Sequence, residues 1–486
     1  MGGLFDYLDW RGELSLAQAP FNPVDNLLLS TLSYAPLDHL VDREGTAIWA
    51  AAERWEAAGG VWPPRPERGR GEFREEVLRL FGALARAPRF SGLMLLDWVS
   101  HLDAGTEEQF AALTIDTGDG ARFVSYRGTD STLVGWKEDF NMSYQTPVPA
   151  QRSAAEYLSD ALRRWGGPLR LGGHSKGGNL AVYAAAACRT PDRLLAVYNN
   201  DGPGFCAGAV DEAGYEAVRG RIHTFVPQSS VVGMLLDHEE DYTVVRSDQS
   251  GLFQHSPFSW QILGPDFVEV ERVTDASRFV SRTLKEWVAS LTPERREQFV
   301  DLLFEVLGAS GAQTMAELSE GGLQAAAAGL RRLRALDGAD RLMLFQALAR
   351  LADVEKELAD LSKEREVMMA AATEEAYERL ATIKSMELRL EEEKRGLEEK
   401  AHPALDQEHL ANVIELWTNI PASRIQEQEY QRLAKLEERL ESHIIGQDEA
   451  VKAVAAAIRR GRVGISPKRK PVSFVFVGST GVGKTE

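Results

Sequence analysis

Apolar and polar positions follow three successive regimes along this chain. Over residues 1–105 the patterns are largely helical, broken by a Pro/Arg-rich patch at Trp62-Pro63-Pro64-Arg65-Pro66 that predicts a surface loop. From about residue 108 short apolar runs take over. Phe110–Asp116, Phe123–Arg127, Leu169–Gly173, Leu194–Asn199 and Ile222–Val226 each read as a strand, with helical patterns at Ser153–Trp165 and Gly178–Ala187 between several of them. Such alternation predicts an α/β fold with a mostly parallel, doubly covered sheet. Tyr242–Arg246 and Phe267–Val273 are further strand-like runs at its expected edge. Beyond about 275 the pattern is helical throughout, and Leu351, Val354, Leu358 and Leu361 recur at the spacing of a coiled-coil seam.

Charge sharpens the later boundaries. Residues 353–400 hold 15 acidic and 9 basic side chains, too polar a stretch for a globular core and suited to a solvated helical hairpin. From 450 to 485 there are eight basic residues and no acidic one, which marks another module. The expected organisation is therefore an α/β domain over 1–290, a helical extension over 291–350, a charged coiled coil over 351–401 and a separate module over 402–486. At 486 residues the chain exceeds one ordinary core. Its net charge of −18 argues against a dedicated nucleic-acid binder. The two cysteines, Cys188 and Cys206, rule out a disulfide scaffold and suit a reducing compartment as two buried thiols, with one disulfide as the alternative. No signal peptide and no membrane-length apolar run is visible, so a cytoplasmic location is expected.

The most informative run is Leu169-Arg170-Leu171-Gly172-Gly173-His174-Ser175-Lys176-Gly177-Gly178, a strand feeding a Gly-x-Ser-x-Gly turn into an Ala-rich helix. A serine on such a turn is lifted out of the sheet with its hydroxyl exposed. The flanking glycines are required where strand and helix nearly touch. The N–H of Lys176, opening the helix, points where an oxyanion would form. A nucleophilic serine needs a base, and His255 lies in a loop beyond the last strands, in the chain order Ser…acid…His. His223 sits within a strand, and His174 is packed into the elbow and cannot turn to its neighbour. For the acid, Asp201 ends a strand in Asn199-Asn200-Asp201-Gly202, with Asp237 and Asp248 as alternatives. A turn-capping role for Asp201 is the competing reading.

Upstream, Ser125-Tyr126-Arg127-Gly128-Thr129-Asp130 ends a strand and Gly135-Trp136-Lys137-Glu138-Asp139 follows on a helix. This Arg-Gly-Thr with Trp and Asp, then Gly-His-Ser-x-Gly, resembles the class 3 lipases and a related bacterial family of lipase-like α/β hydrolases. The resemblance covers roughly 20–290 and implies an α/β-hydrolase-like fold and a serine esterase acting on carboxyl esters or acyl lipids, without a cofactor. It makes Thr129 part of the oxyanion hole. There is one departure. Where those lipases carry their acid, this chain has Pro227-Gln228-Ser229-Ser230-Val231, a serine in place of aspartate. Either Asp201 takes over or the triad is incomplete, which would leave a slow hydrolase or a non-catalytic binding module.

At the far end Ser473-Phe474-Val475-Phe476-Val477 reads as a strand before Gly478-Ser479-Thr480-Gly481-Val482-Gly483-Lys484-Thr485, a complete phosphate-binding loop. Its glycines Gly478, Gly481 and Gly483 free N–H groups to wrap a phosphate, Lys484 reaches the outer phosphates of ATP, and Thr485 would hold Mg²⁺. Val413-Ile414-Glu415-Leu416-Trp417 and His443-Ile444-Ile445-Gly446-Gln447 precede it, and the whole resembles the middle domain and second ATPase entry of Clp-type AAA+ unfoldases. That resemblance places Ile444 and Ile445 on the adenine, and implies Clp-like oligomer or adaptor contacts through the coiled coil. Glu486 is the last residue, so a module cut off within its nucleotide loop is expected not to hydrolyse ATP. The alternative to the esterase is a truncated unfoldase subunit that uses the hydrolase fold for recognition.

Overall fold

The computed structural model describes residues 2–63, 72–249, most of 251–344, and residue 454. The coiled-coil seam, Ile444, Ile445 and the loop from Gly478 to Thr485 lie outside the described residues. Two compact units divide the chain, Met1–Val300 and Asp301–Glu486.

The first unit is built on an eight-stranded sheet whose strands lie side by side in chain order. They are β1 (Thr46–Ala47), β2 (Met94–Asp103), β3 (Glu108–Asp116), β4 (Arg122–Tyr126), β5 (Leu169–His174), β6 (Leu194–Asn200), β7 (Ile222–Pro227) and β8 (Tyr242–Val245). The first four pair antiparallel, and β4 through β8 pair parallel. The five strands read from the sequence are all present, as is the one at Tyr242. Phe267–Val273 behaves differently. It does not add a strand to this sheet, because Asp266–Phe267 pairs with Ile262–Leu263 in a separate ribbon, and only Glu269 bridges to Val245.

The sequence reading of 1–105 as helical missed β2. Its apolar–polar alternation is broken by a bulge between Leu96 and Val99, where Asp97 adopts a left-handed backbone (φ 51°). Around that break no period of two survives in the sequence.

A sheet that advances strand by strand in one direction throws its right-handed crossovers onto one face. Here that face is covered by α7 (Pro149–Arg164), α8 (Lys176–Ala186) and α9 (Glu212–Arg219), whose Ala154, Leu158, Leu180, Val182 and Val218 pack with Val124, Leu171 and Val197. The opposite face would be left wet. It is covered by the N-terminal layer, α1 (Leu4–Arg11), α2 (Pro23–Leu32), α3 (Ile48–Ala57), α4 (Phe73–Arg86) and α5 (Pro88–Ser91). There Leu27, Leu28, Leu80 and Phe81 are fully buried against Leu113, Phe123 and Tyr198. Strand alternation directs the split, since Phe123 faces the N-terminal layer and its neighbour Val124 faces the crossovers. Between β4 and α7 lies α6 (Leu133–Asn141).

In the second unit, helix Met315–Ala335 starts at Thr314, whose hydroxyl accepts from the Glu317 N–H at 3.1 Å. Among the described residues no helix is long and apolar enough to cross a membrane. The two cysteines are free and half-buried, rather than fully buried thiols or a disulfide.

Candidate active site

Ser175 stands between β5 and α8 with φ 58° and ψ −134°, a left-handed backbone that a residue with a side chain rarely adopts. The turn is tight for a measurable reason. A methyl group on Gly173 would fall 2.2 Å from the carbonyl carbon of Gly177, and one on Gly177 would fall 2.1 Å from the Tyr126 carbonyl oxygen. The Ser175 N–H donates to the Asn200 carbonyl at 3.0 Å, which ties the elbow to the end of the neighbouring strand.

Asp201 follows that strand end directly. It is wholly buried, also left-handed (φ 55°), and its N–H donates to Phe225 on β7 at 2.8 Å. Its Oδ2 accepts from Nδ1 of His255 at 2.7 Å. A carboxylate only accepts, so the proton on Nδ1 is fixed and Nε2 of a neutral His255 is the basic nitrogen. The second oxygen, Oδ1, accepts from the Ser230 hydroxyl at 2.5 Å and the Gly233 N–H at 3.2 Å. Ser230 lies in the stretch where lipases of the resembling family carry their acid, and here it donates to Asp201.

His174 serves the other side of His255. Its Nε2–H donates to the His255 carbonyl oxygen at 2.7 Å, the two rings lie 4.6 Å apart, and Tyr34 donates to its Nδ1 at 3.2 Å. Burial, then the nearby His255, holds the His174 pKa well below the usual imidazole range, so the ring stays neutral. Its sequence position beside Ser175 gave no hint that it anchors the loop of His255. The remaining candidates stand apart. Asp237 is on the surface with Lys285 at 3.0 Å, Asp248 is exposed, and His223 is exposed in β7 with its ring stacked on Tyr198.

The loop after β4 closes over the elbow. A methyl on Gly128 would meet the Tyr34 hydroxyl at 2.1 Å and Ser175 Cβ at 3.1 Å, so Thr129 begins right against Ser175. The Thr129 hydroxyl is committed elsewhere, donating to Asp139 Oδ2 at 2.5 Å, which leaves its main-chain N–H as the donor available to an oxyanion. Lys176 opens α8, where the first N–H groups lack partners within the helix. Its side chain turns inward, 1 % exposed, to Glu138 at 2.9 Å. Burial raises the Asp139 carboxyl to about 6, with Glu138 adding to it against the pull of Lys176 and Thr129. No sequence signal linked Lys176 to Glu138, which lie 38 positions apart.

Behind Asp201 lies a second buried histidine–carboxylate pair. His238 donates from Nε2 to the Gly233 carbonyl at 2.7 Å, and its Nδ1 is 3.2 Å from Glu240 Oε1. Glu240 also accepts from Thr224 at 2.5 Å and from Tyr215. Among the described residues no cluster of three or more His, Cys, Asp or Glu side chains forms a metal site.

The fold is that of an α/β-hydrolase-like domain, and comparison with known proteins gives it relatives. The family described as Mbeg1-like matches residues 84–305. Part of the chain is similar to Clp proteins. It is 38 % identical over 154 residues to the negative regulator of genetic competence ClpC/MecB of Bacillus subtilis, covering 30 % of this chain and 19 % of that protein. It is 35 % identical over 160 residues to the chloroplastic chaperone protein ClpC1 of Arabidopsis thaliana (30 % and 17 %). With the ATP-dependent Clp protease ATP-binding subunit ClpE of Streptococcus pneumoniae it shares 42 % over 118 residues (24 % and 16 %). The chain thus spans less than a fifth of each of these three proteins. A lipase-like hydrolase fold and a Clp-like segment occur in one polypeptide.

Proposed function

We propose that the first unit is a serine hydrolase cleaving carboxyl esters, joined to a Clp-type ATP-binding module. The observation that carries this reading is the buried Asp201 carboxylate holding Nδ1–H of His255 at 2.7 Å beside the Ser175 elbow. In this reading Nε2 of His255 takes the Ser175 proton as Oγ attacks the ester carbonyl. The N–H groups of Lys176 and Thr129 receive the oxyanion. His255 returns the proton to the leaving alkoxide, and water then repeats the sequence in reverse on the acyl-serine. Asp201 keeps the imidazole in the required tautomer and stabilises it when charged. In the Clp-like module, Gly478, Gly481, Gly483 and Lys484 would hold the phosphates of ATP, Thr485 the Mg²⁺, and Ile444 and Ile445 the base.

Short-chain nitrophenyl esters test the reading. The parent protein should turn them over, and Ser175→Ala should lose roughly 10³-fold or more in kcat. Absence of turnover in both proteins removes the esterase. It favours the second reading, in which the hydrolase fold is a recognition domain for a Clp-type unfoldase subunit, as the Clp similarity suggests.

A further inference from the structure

In the proposed acyl transfer only the main-chain N–H of Lys176 acts, yet its side chain is among the largest wholly buried ones in the protein. An ammonium removed from water is strongly disfavoured unless it is paired and hydrogen-bonded. Lys176 meets both conditions. Nζ lies 2.9 Å from Glu138 Oε2 and donates to the Gln109 carbonyl oxygen at 2.9 Å. Glu138 is itself wholly buried, accepting from the Ala150 N–H at 2.8 Å on Oε1 and from the Gln109 N–H at 3.0 Å on Oε2. One ion pair therefore joins the start of α8, the middle of α6, β3 and the first turn of α7.

The next residue on α6 extends the connection. Asp139 receives the Thr129 hydroxyl on Oδ2, and its Oδ1 stands 4.0 Å from Nζ of Lys176. Glu138 and Asp139 thus grip the two segments that carry the proposed oxyanion donors, α8 through Lys176 and the post-β4 loop through Thr129. We infer that the Lys176–Glu138 ion pair is a positioning device that holds these two donors in register. The inference rests on the esterase reading. A charge-free pair of similar volume would avoid the desolvation of two ions, but it would not fix direction, and donors displaced by about 1 Å stabilise a developing oxyanion poorly.

The test is the paired variant Lys176→Met with Glu138→Gln, which removes both buried charges of the pair and keeps one side-chain acceptor for the main-chain N–H groups of Gln109 and Ala150. Circular dichroism and melting establish that it folds. Expected is a drop in kcat on a nitrophenyl ester of about tenfold or more, with KM within about twofold. Phosphonylation of Ser175 by a fluorophosphonate should slow in parallel, because the phosphoryl oxygen uses the same donors. Should the paired variant not fold, Glu138→Asp, which keeps both charges but draws the carboxylate back by one methylene, carries the same expectation. A folded variant with parental kcat and phosphonylation rate overturns the positioning role and leaves the esterase standing. A parent protein without Ser175-dependent turnover or labelling overturns the esterase, and this role with it.

Discussion

Ser175 and Asp201 are both held in the left-handed backbone region, at φ 58° and 55°, although neither is glycine. Each such residue costs on the order of 1–3 kcal/mol, and that strain is tolerated where the surroundings over-determine it. The turn at Ser175 was legible because its two glycines announce it. The choice of Asp201 over Asp237 and Asp248 was legible only as a strand-end preference. What sets it apart from those two is its contact with His255, 54 positions away. Asp139 makes a prediction of its own. Its carboxyl sits at about 6 in the fold against 3.8 for an unperturbed side chain, so the folded protein binds that proton more tightly. The associated stability is complete below pH 3.8 and is lost as pH rises through about 6. Asp139→Asn removes the ionisation, so the variant should melt higher than the parent at pH 8, by roughly 2–3 kcal/mol, with the gain shrinking towards pH 4. Melting curves at the two pH values check it, and equal shifts at both would refute it.

At the scale of elements, the segment from Ser230 to Glu240 is the support of the proposed acid. Ser230 and Gly233 donate to Asp201, and His238 grips the Gly233 carbonyl from behind. Burial alone would raise the Glu240 carboxyl. The hydrogen bond and charge of His238, with the hydroxyls of Thr224 and Tyr215, outweigh it and bring the pKa from 4.5 down to about 2. A depressed carboxyl stabilises the fold above pH 4.5, and that stability disappears as the pH falls through about 2. Acid unfolding should therefore show a limb worth about 3 kcal/mol across this interval. Glu240→Gln should flatten it, and an unchanged acid limb would count against the pairing. None of this was visible in the sequence, where Tyr215, Thr224, His238 and Glu240 have no shared pattern. Element existence was easier to read than element edges. Five strands were evident from their apolar runs, while β2 was hidden by the Asp97 bulge and Phe267–Val273 only imitated a sheet strand.

For the whole first unit, the question is what covers the sheet face that the crossover helices leave bare. The stretch matching the Mbeg1-like family begins at residue 84, yet α1 to α4 supply most of that cover from before it. The layer is locked by a fully buried ion pair across this boundary. Arg89 Nε donates to Asp25 Oδ1 at 2.8 Å, Nη2 meets Oδ2 at 2.5 Å, and the rest of the guanidinium bonds the carbonyls of Leu14, Ala19 and Pro20. Asp25→Ala leaves that cation buried without its partner and should cost about 3–5 kcal/mol, measured by denaturant unfolding. A loss below 1 kcal/mol would show that the N-terminal layer is not held through this pair. The alternation of strands and helices and the glycine-flanked serine elbow were written into local stretches of the chain, because backbone sterics and hydrophobic period act over a few neighbouring residues. Which carboxylate meets His255, why Lys176 is buried and which helices close the second face emerge with the folded arrangement. Those pairings join residues tens of positions apart, and their partners become neighbours only once the sheet has assembled.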